Sequence, residues 1–295
     1  MSEETTTGHE LYAARTIKGL TRQLAPLKAF SIDFSDEAKA KGETVNVSLV
    51  TPDTVSNWNA TNNNFKRSTQ TVNQAKITFG DPIITGFALS AANIRNFRPE
   101  FWEGKADLNT LEICDNVLAT IAALITGANY GDTAKDKMTV NLAAFGTSVI
   151  AAIRAKAVQD KKLRAPLSVL ALNPVYFSEL LGKLDANVYG GRDAIVGGTI
   201  PGLLGFRAIV EIPQLAIPGF VCHPDAIAVA ARTHMPASNK PYEAVNAITE
   251  PETGLTVTHV EYCSGDDGSL SDSVSALVAS GVGNSKSLLR LVEAA

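Results

Sequence analysis

The sequence predicts an α+β protein in which antiparallel hairpins are appended to a central mixed domain. Three observations carry that class. The runs VNVSLV at 45–50 and AKITFG at 75–80 alternate apolar and polar residues, as half-buried strands do. The run LSVLAL at 167–172 is continuously apolar, the mark of a strand covered on both faces. Residues 108–128 repeat apolar side chains at spacings of three and four. One stripe runs through Leu111, Cys114, Leu118, Ile121 and Ile125, and a second through Ile113, Val117 and Leu124. A helix that is apolar on most sides is a buried, central one.

The elements follow in order. Leu11, Ile17, Leu20, Leu24 and Leu27 predict a loose amphipathic helix within 10–29, broken near Pro26, which reads as an arm. Between the first two strands lie residues 51–74, rich in Asn and Thr, with Val55, Trp58, Phe65 and Val72 as apolar anchors. A structureless loop of that length is uncommon in a compact domain, so the segment reads as a hairpin that leaves its own domain. Lys66 and Arg67 stand beside Phe65 at its tip. They are either a solvated tip or part of a docking surface, where aromatic and Arg residues are enriched. Helix 108–128 can be capped by Asn109 or Thr110, carries Glu112 in its first turn, and ends at Gly127 and Gly131.

A second helix is predicted over 141–163, with Phe145, Val149, Ile153 and Ala157 on one face. The basic KKLR at 161–164 closes it, at the end where the helix dipole favours cations. Asn173-Pro174 is a cap followed by a proline suited to the first helical position, so 174–184 is a third helix. Residues 185–205 hold six glycines and read as a mobile loop. FRAIVE (206–211) and GFVC (219–222) are strands. YEAVNAI (242–248) and LTVTHVEY (255–262) form a hairpin with Gly254 at its turn. A polar linker, SGDDGSLSD, leads to strands at 274–280 and 287–292.

Composition narrows the function. The chain has 295 residues, 45% hydrophobic and 19% charged, enough for a full core. Its net charge of −4 lacks the basic field of a dedicated nucleic-acid binder. Arg15, Lys18, Arg22 and Lys28 make the arm locally basic, either as a solvated helix face or as a contact for nucleic acid. Three scattered cysteines offer neither a disulfide framework nor paired metal-ligand spacing, and fit a reducing compartment. MSEETTTGHE is not a signal peptide, and the apolar run at 117–128 is too short to span a bilayer. None of the four histidines has metal-site spacing. GGTIPGLLG at 197–205 lacks the Lys-Ser/Thr of a P-loop, and no GxSxG elbow occurs. Nothing in the sequence brings Asp185 and Asp193 together as paired carboxylates. No cofactor is indicated.

The order of parts resembles the major capsid proteins of tailed bacteriophages, with the Hong Kong 97-type fold. The most specific local match is PGLLGFRAIVEIPQL at 201–215, followed by HPDAIAVAAR at 223–232. The resemblance implies an N-terminal arm (1–42), an E-loop hairpin (43–85) and a P-domain with its spine helix (86–134). It then implies an A-domain (135–235), a P-domain return hairpin (236–265) and C-terminal strands returning to the A-domain (266–295). It implies a structural protein without catalytic turnover, assembled in a host bacterial cytoplasm and resident in the virion capsid. Its partner would be itself, as hexamers and pentamers of an icosahedral shell. Packaged double-stranded DNA would be touched weakly and non-specifically, and no membrane would be involved. A separate scaffolding protein, a portal and a decoration protein are the further partners of such a shell. The implied subunit contacts are Trp58, Phe65, Lys66 and Arg67 on the E-loop and Leu11, Arg15, Ile17 and Leu20 on the arm. Tyr189, Gly190, Gly191, Arg192, Gly197 and Gly198 would lie in the loop at the capsomer centre. Lys66 is the E-loop candidate for the subunit crosslink of some relatives, but no partner or catalytic Glu is identifiable. Two other readings remain open: an encapsulin-type nanocompartment shell, and a soluble α+β enzyme with 185–205 as a lid.

Overall fold

The computed structural model describes residues 12, 14–20, 23–39, 42–49, 73–90, 99–164, 167–184, 199–201, 203–235, 242–250, 254–263 and 269–294. Two six-stranded sheets share one core with a long helix.

The first sheet has the order β1 (Ser31–Lys39), β10 (Ile227–His234), β13 (Leu270–Val282), β12 (Thr256–Cys263) and β11 (Tyr242–Thr249). Strand β4 (Ile83–Leu89) also pairs with β13. The pairings are antiparallel except for β1 with β10. Strand β10 is buried on both faces, and alternation explains why. Ile227, Val229 and Ala231 join the main core, while Ala228 and Ala230 point the other way. That second face is covered by the two-stranded hairpin of β2 (Thr44–Leu49) and β3 (Asn73–Thr78). The hairpin lays Val47, Leu49, Ala75 and Ile77, with Phe79 just beyond it, against Ala228, Ala230, Leu277 and Ala279.

Helix α1 (Pro99–Ala122) begins nine residues before the expected start. Pro99 suits a helix start and Glu100 favours the first turn. Asn109 and Thr110, read as caps, therefore lie inside it. Ile113, Cys114, Val117, Leu118 and Ile121 are buried as predicted, whereas Leu111 is 40% exposed and Leu108 60%. Thr126 caps the short α2 (Gly127–Tyr130), accepting a hydrogen bond from the Asn129 amide.

The second sheet has the order β5 (Lys137–Val140), β14 (Leu288–Glu293), β9 (Gly219–Cys222), β6 (Val169–Leu172), β8 (Ala208–Glu211) and β7 (Thr199–Pro201). Strand β6 is wholly buried, as its apolar run predicts. Val169 and Ala171 face the main core with α1; Leu170 and Leu172 face α3 (Thr147–Lys161) and α4 (Pro174–Lys183). Asn173 caps α4 by accepting from the Tyr176 amide at 3.0 Å, with Pro174 following, as the dipeptide predicts. Gly219 allows β9 to lie close on β6, since a Cβ there would run into the Ala171 carbonyl.

The sheet boundaries divide the chain differently from the expected spans. β10, at the end of 135–235, belongs to the first sheet. Of the two C-terminal strands, β13 also belongs there, and only β14 enters the second. Residues 199–201 are an edge strand and 203–205 a 3-10 turn, with Ile200 and Leu203 buried, so these parts of the loop expected over 185–205 are ordered elements. The other part of that loop, 185–198, lies outside the described residues.

Candidate subunit interface

Strands of the first sheet anchor the base of the expected E-loop. The five apolar residues of the β2–β3 region bind it to its own sheet, so the root of the expected hairpin is fixed. Trp58, Phe65, Lys66 and Arg67 lie outside the described residues, as do Leu11, Tyr189, Gly190, Gly191, Arg192, Gly197 and Gly198.

The arm can be followed from Tyr12. Residues 14–20 are helical and run along α1. A Cβ at Gly19 would come within 2.9 Å of the Thr110 side chain, so the arm backbone sits directly on that helix. Leu20 is fully buried inside this chain, Ile17 is half-buried against the same core, and Arg15 is exposed. The Arg15 guanidinium grips Asp107 in a two-pronged contact, with Nε donating to Oδ1 at 2.7 Å and Nη2 donating to Oδ2 at 3.0 Å. Within the arm, Arg15 and Ile17 therefore keep surface for a neighbour, and Leu20 does not. The turn Ala25–Ala29 follows, breaking the arm helix at Pro26 and burying Leu24 and Leu27.

Tyr12 is itself buried, and its ring lies 5.5 Å from that of His259 and 5.7 Å from Phe87. Its hydroxyl accepts from Asn109 Nδ2 at 2.9 Å, and burial pushes the phenol pKa up to about 12. Beneath it, His259 on β12 donates from Nε2 to Asp272 Oδ1 on β13; the side chains are 3% and 0% exposed. On the opposite edge, Arg232 of β10 donates to the Asp33 carbonyl at 2.6 Å and pairs with its carboxylate at 3.3 Å, fastening β1. None of these contacts was read from sequence.

A third cluster stiffens the second sheet. Arg290 of β14 donates to Asp132 Oδ1 at 2.5 Å and to the Gly131 carbonyl at 2.9 Å. Asp136 accepts from Lys161, at the C-terminal end of α3, at 2.6 Å and from the Thr133 hydroxyl at 2.6 Å. Lys161 first, and then Thr133, hold the Asp136 carboxyl down to about 2, against an ordinary 3.8. A depressed carboxylate contributes stability that is present above the unfolded value and lost as pH falls towards the folded one. The denaturation midpoint is therefore expected to drop between about pH 4 and 2 in the native protein, and less steeply in Asp136→Asn. Equal acid slopes in the two proteins would remove this role.

The three cysteines are free. Burial pushes the Cys114 thiol up to about 12 and raises that of Cys222 as well, whereas Cys263 is half-buried. Thiolate is the reactive form. Maleimide counted by mass spectrometry is expected to add at Cys263 in the folded protein and at all three sites only in denaturant. Rapid labelling of Cys114 in the folded protein would contradict the packing of α1.

Among the described residues, no group of three His, Cys, Asp or Glu is placed to hold a metal ion, and no helix is long and apolar enough to cross a membrane. No protein-family model matches the chain, and no curated protein matches it by sequence. Solved structures do match. The virus-like particle from Pyrococcus furiosus is 11% identical, aligns over 96% of this chain and 98% of its own, and gives a TM-score of 0.56. The capsid of cyanophage P-SCSP1u is 13% identical over 90% of this chain and 86% of its own, with a TM-score of 0.52. Mycobacterium phage Che8 is 14% identical over 85% of each chain, with a TM-score of 0.50.

The chain has the Hong Kong 97-type capsid fold. The expected spine helix corresponds to α1, and the base of the expected E-loop to β2–β3. The outward side of the spine helix exposes Leu108 and Leu111, three residues apart on one face, and β4 exposes Ile84 by 60%. These are large apolar side chains left uncovered by the subunit itself.

Proposed function

We propose that this chain is the coat subunit of an icosahedral shell, forming hexamers and pentamers around double-stranded DNA. The observation that carries the reading is the capsid fold, aligned over 90% of this chain and 86% of the cyanophage capsid chain. In this reading the E-loop lays Trp58, Phe65, Lys66 and Arg67 on the adjacent subunit. The arm offers Leu11, Arg15 and Ile17 to a neighbour, and the 189–198 loop rings the capsomer centre. Contacts of this kind are individually weak and stabilise a closed shell through their number. The subunit turns over no substrate, assembles in a bacterial host cytoplasm and becomes part of the virion. A separate scaffolding protein, a portal and a decoration protein are its further partners.

Sedimentation of the expressed chain, with negative-stain images of the heavy fraction, tests the reading. Closed shells or capsomer rings are expected. A monomer or dimer that persists on co-expression with candidate scaffolding proteins would overturn it. The alignment with the Pyrococcus furiosus virus-like particle, over 98% of that chain, keeps an encapsulin-type nanocompartment as a second reading. Nucleic acid inside the particles supports the first, and a folded cargo protein the second.

A further inference from the structure

The seam between the two sheets holds a cavity of about 850 Å³, walled by the end of α3, the turns at 223–225 and 284–287, and Ser31 and Ser48 from β1 and β2. Its charges are unbalanced. Lys161 is taken up by Asp136 at 2.6 Å. Lys162, Arg164 and Lys286 also line the cavity and have no acidic partner among the described residues. The helix dipole accounts for a cation at Lys162 or Arg164, but not for Lys286, which comes from a separate turn.

The remaining polar groups are mostly committed. The Ser31 hydroxyl donates to the Pro224 carbonyl at 2.7 Å, and Ser287 and Asn284 donate to Asp225 Oδ2 at 2.9 and 3.1 Å. Asp225 is the one carboxylate in the lining among the described residues. Its Oδ1 has no hydrogen-bond partner, and neither does the buried Nε2 of His223 in the same wall. Asp225 opposes an anion with a single charge, against three cations that favour one.

We infer that this cavity binds a phosphate group. A single carboxylate brings one charge and two oxygens, too little to neutralise Lys162, Arg164 and Lys286 together. A phosphate brings up to two charges and three or more acceptor oxygens, which suit an arginine fork and two point-like ammonium groups. The group has two possible sources, a free phosphate compound or the backbone of a nucleic acid. The inference does not rest on the shell reading, because every residue it uses lies in one chain.

The test is titration calorimetry on the full-length protein with inorganic pyrophosphate and, separately, with a short DNA duplex. Lys162→Glu, Arg164→Glu and Lys286→Glu are each expected to weaken pyrophosphate binding by about tenfold, the usual scale for losing a charged hydrogen bond. Lys105→Glu, on the spine helix, should leave it unchanged, and circular dichroism should confirm that all four variants fold. Loss of duplex binding in the same three variants assigns the source as nucleic acid, and duplex binding that is absent or unaffected assigns it as a free phosphate compound. The inference is overturned if pyrophosphate does not bind, if Lys105→Glu weakens it equally, or if a Glu-rich peptide displaces it at equal concentration.

Discussion

Asp272→Ala is expected to lower the unfolding free energy by about 3–5 kcal/mol, the scale for breaking a buried polar pair by removing one partner. Asp272 is 1% exposed, and its carboxylate accepts from His259, which is 2% exposed. Removing the acid takes the carboxylate partner away from a buried imidazole between strands β12 and β13, against the ring of Tyr12. The pair itself need not be a net source of stability. Replacing both partners together, as His259→Leu with Asp272→Leu, is expected to recover most of the loss, because the two polar groups of the pair are then removed together. Equilibrium denaturation of the single and double variants decides it. A loss below about 1 kcal/mol for Asp272→Ala would show that water or a rearranged neighbour satisfies His259.

That pair also marks the limit of what the sequence made legible. The linker reading of SGDDGSLSD rested on its polarity. Yet Leu270, Asp272, Val274 and Ala276 alternate inward on one face of β13, and a single acid at an inward position broke the pattern. Strand β10 escaped for the opposite reason: IAVAARTH is buried on both faces and shows no alternation. Its partners, β1 and β13, are distant in sequence. Elements whose burial is set locally were legible. The Asn173-Pro174 start, the LSVLAL strand and the Gly254 turn, where φ is 78°, all follow from short-range chemistry. The start of the spine helix was misplaced because Asn109 and Thr110 look like caps, and only tertiary packing of Trp102 and Ala106 reveals the earlier turns. For the candidate site, Arg15 and Ile17 keep surface to offer, whereas the pairs that hold the arm in place, Arg15–Asp107 and Tyr12–Asn109, join residues far apart in sequence.

Trp58→Ser with Phe65→Ser is expected to abolish shell closure while leaving a folded subunit. The hairpin is rooted by Val47, Leu49, Ala75, Ile77 and Phe79 against its own sheet, and Trp58 and Phe65 lie outside the described residues. Truncating them leaves these five root residues in place. At an interface, by contrast, large aromatic anchors carry a disproportionate share of the energy, on the order of 2–4 kcal/mol each. A shell repeats that contact at every subunit, so a modest loss per contact becomes a steep loss of assembly. Ile77→Ser is the complementary variant. Ile77 is 2% exposed and lies in contact range of a Cβ placed at Gly281 on β13, so its loss should destabilise the subunit itself. Sedimentation and thermal melting separate the two effects: the tip variant should melt like the native subunit and fail to form particles, and the root variant should melt early. Normal particles from the tip variant would show that the hairpin does not dock through its aromatic residues, and an early melt would show that the tip belongs to the subunit's own core.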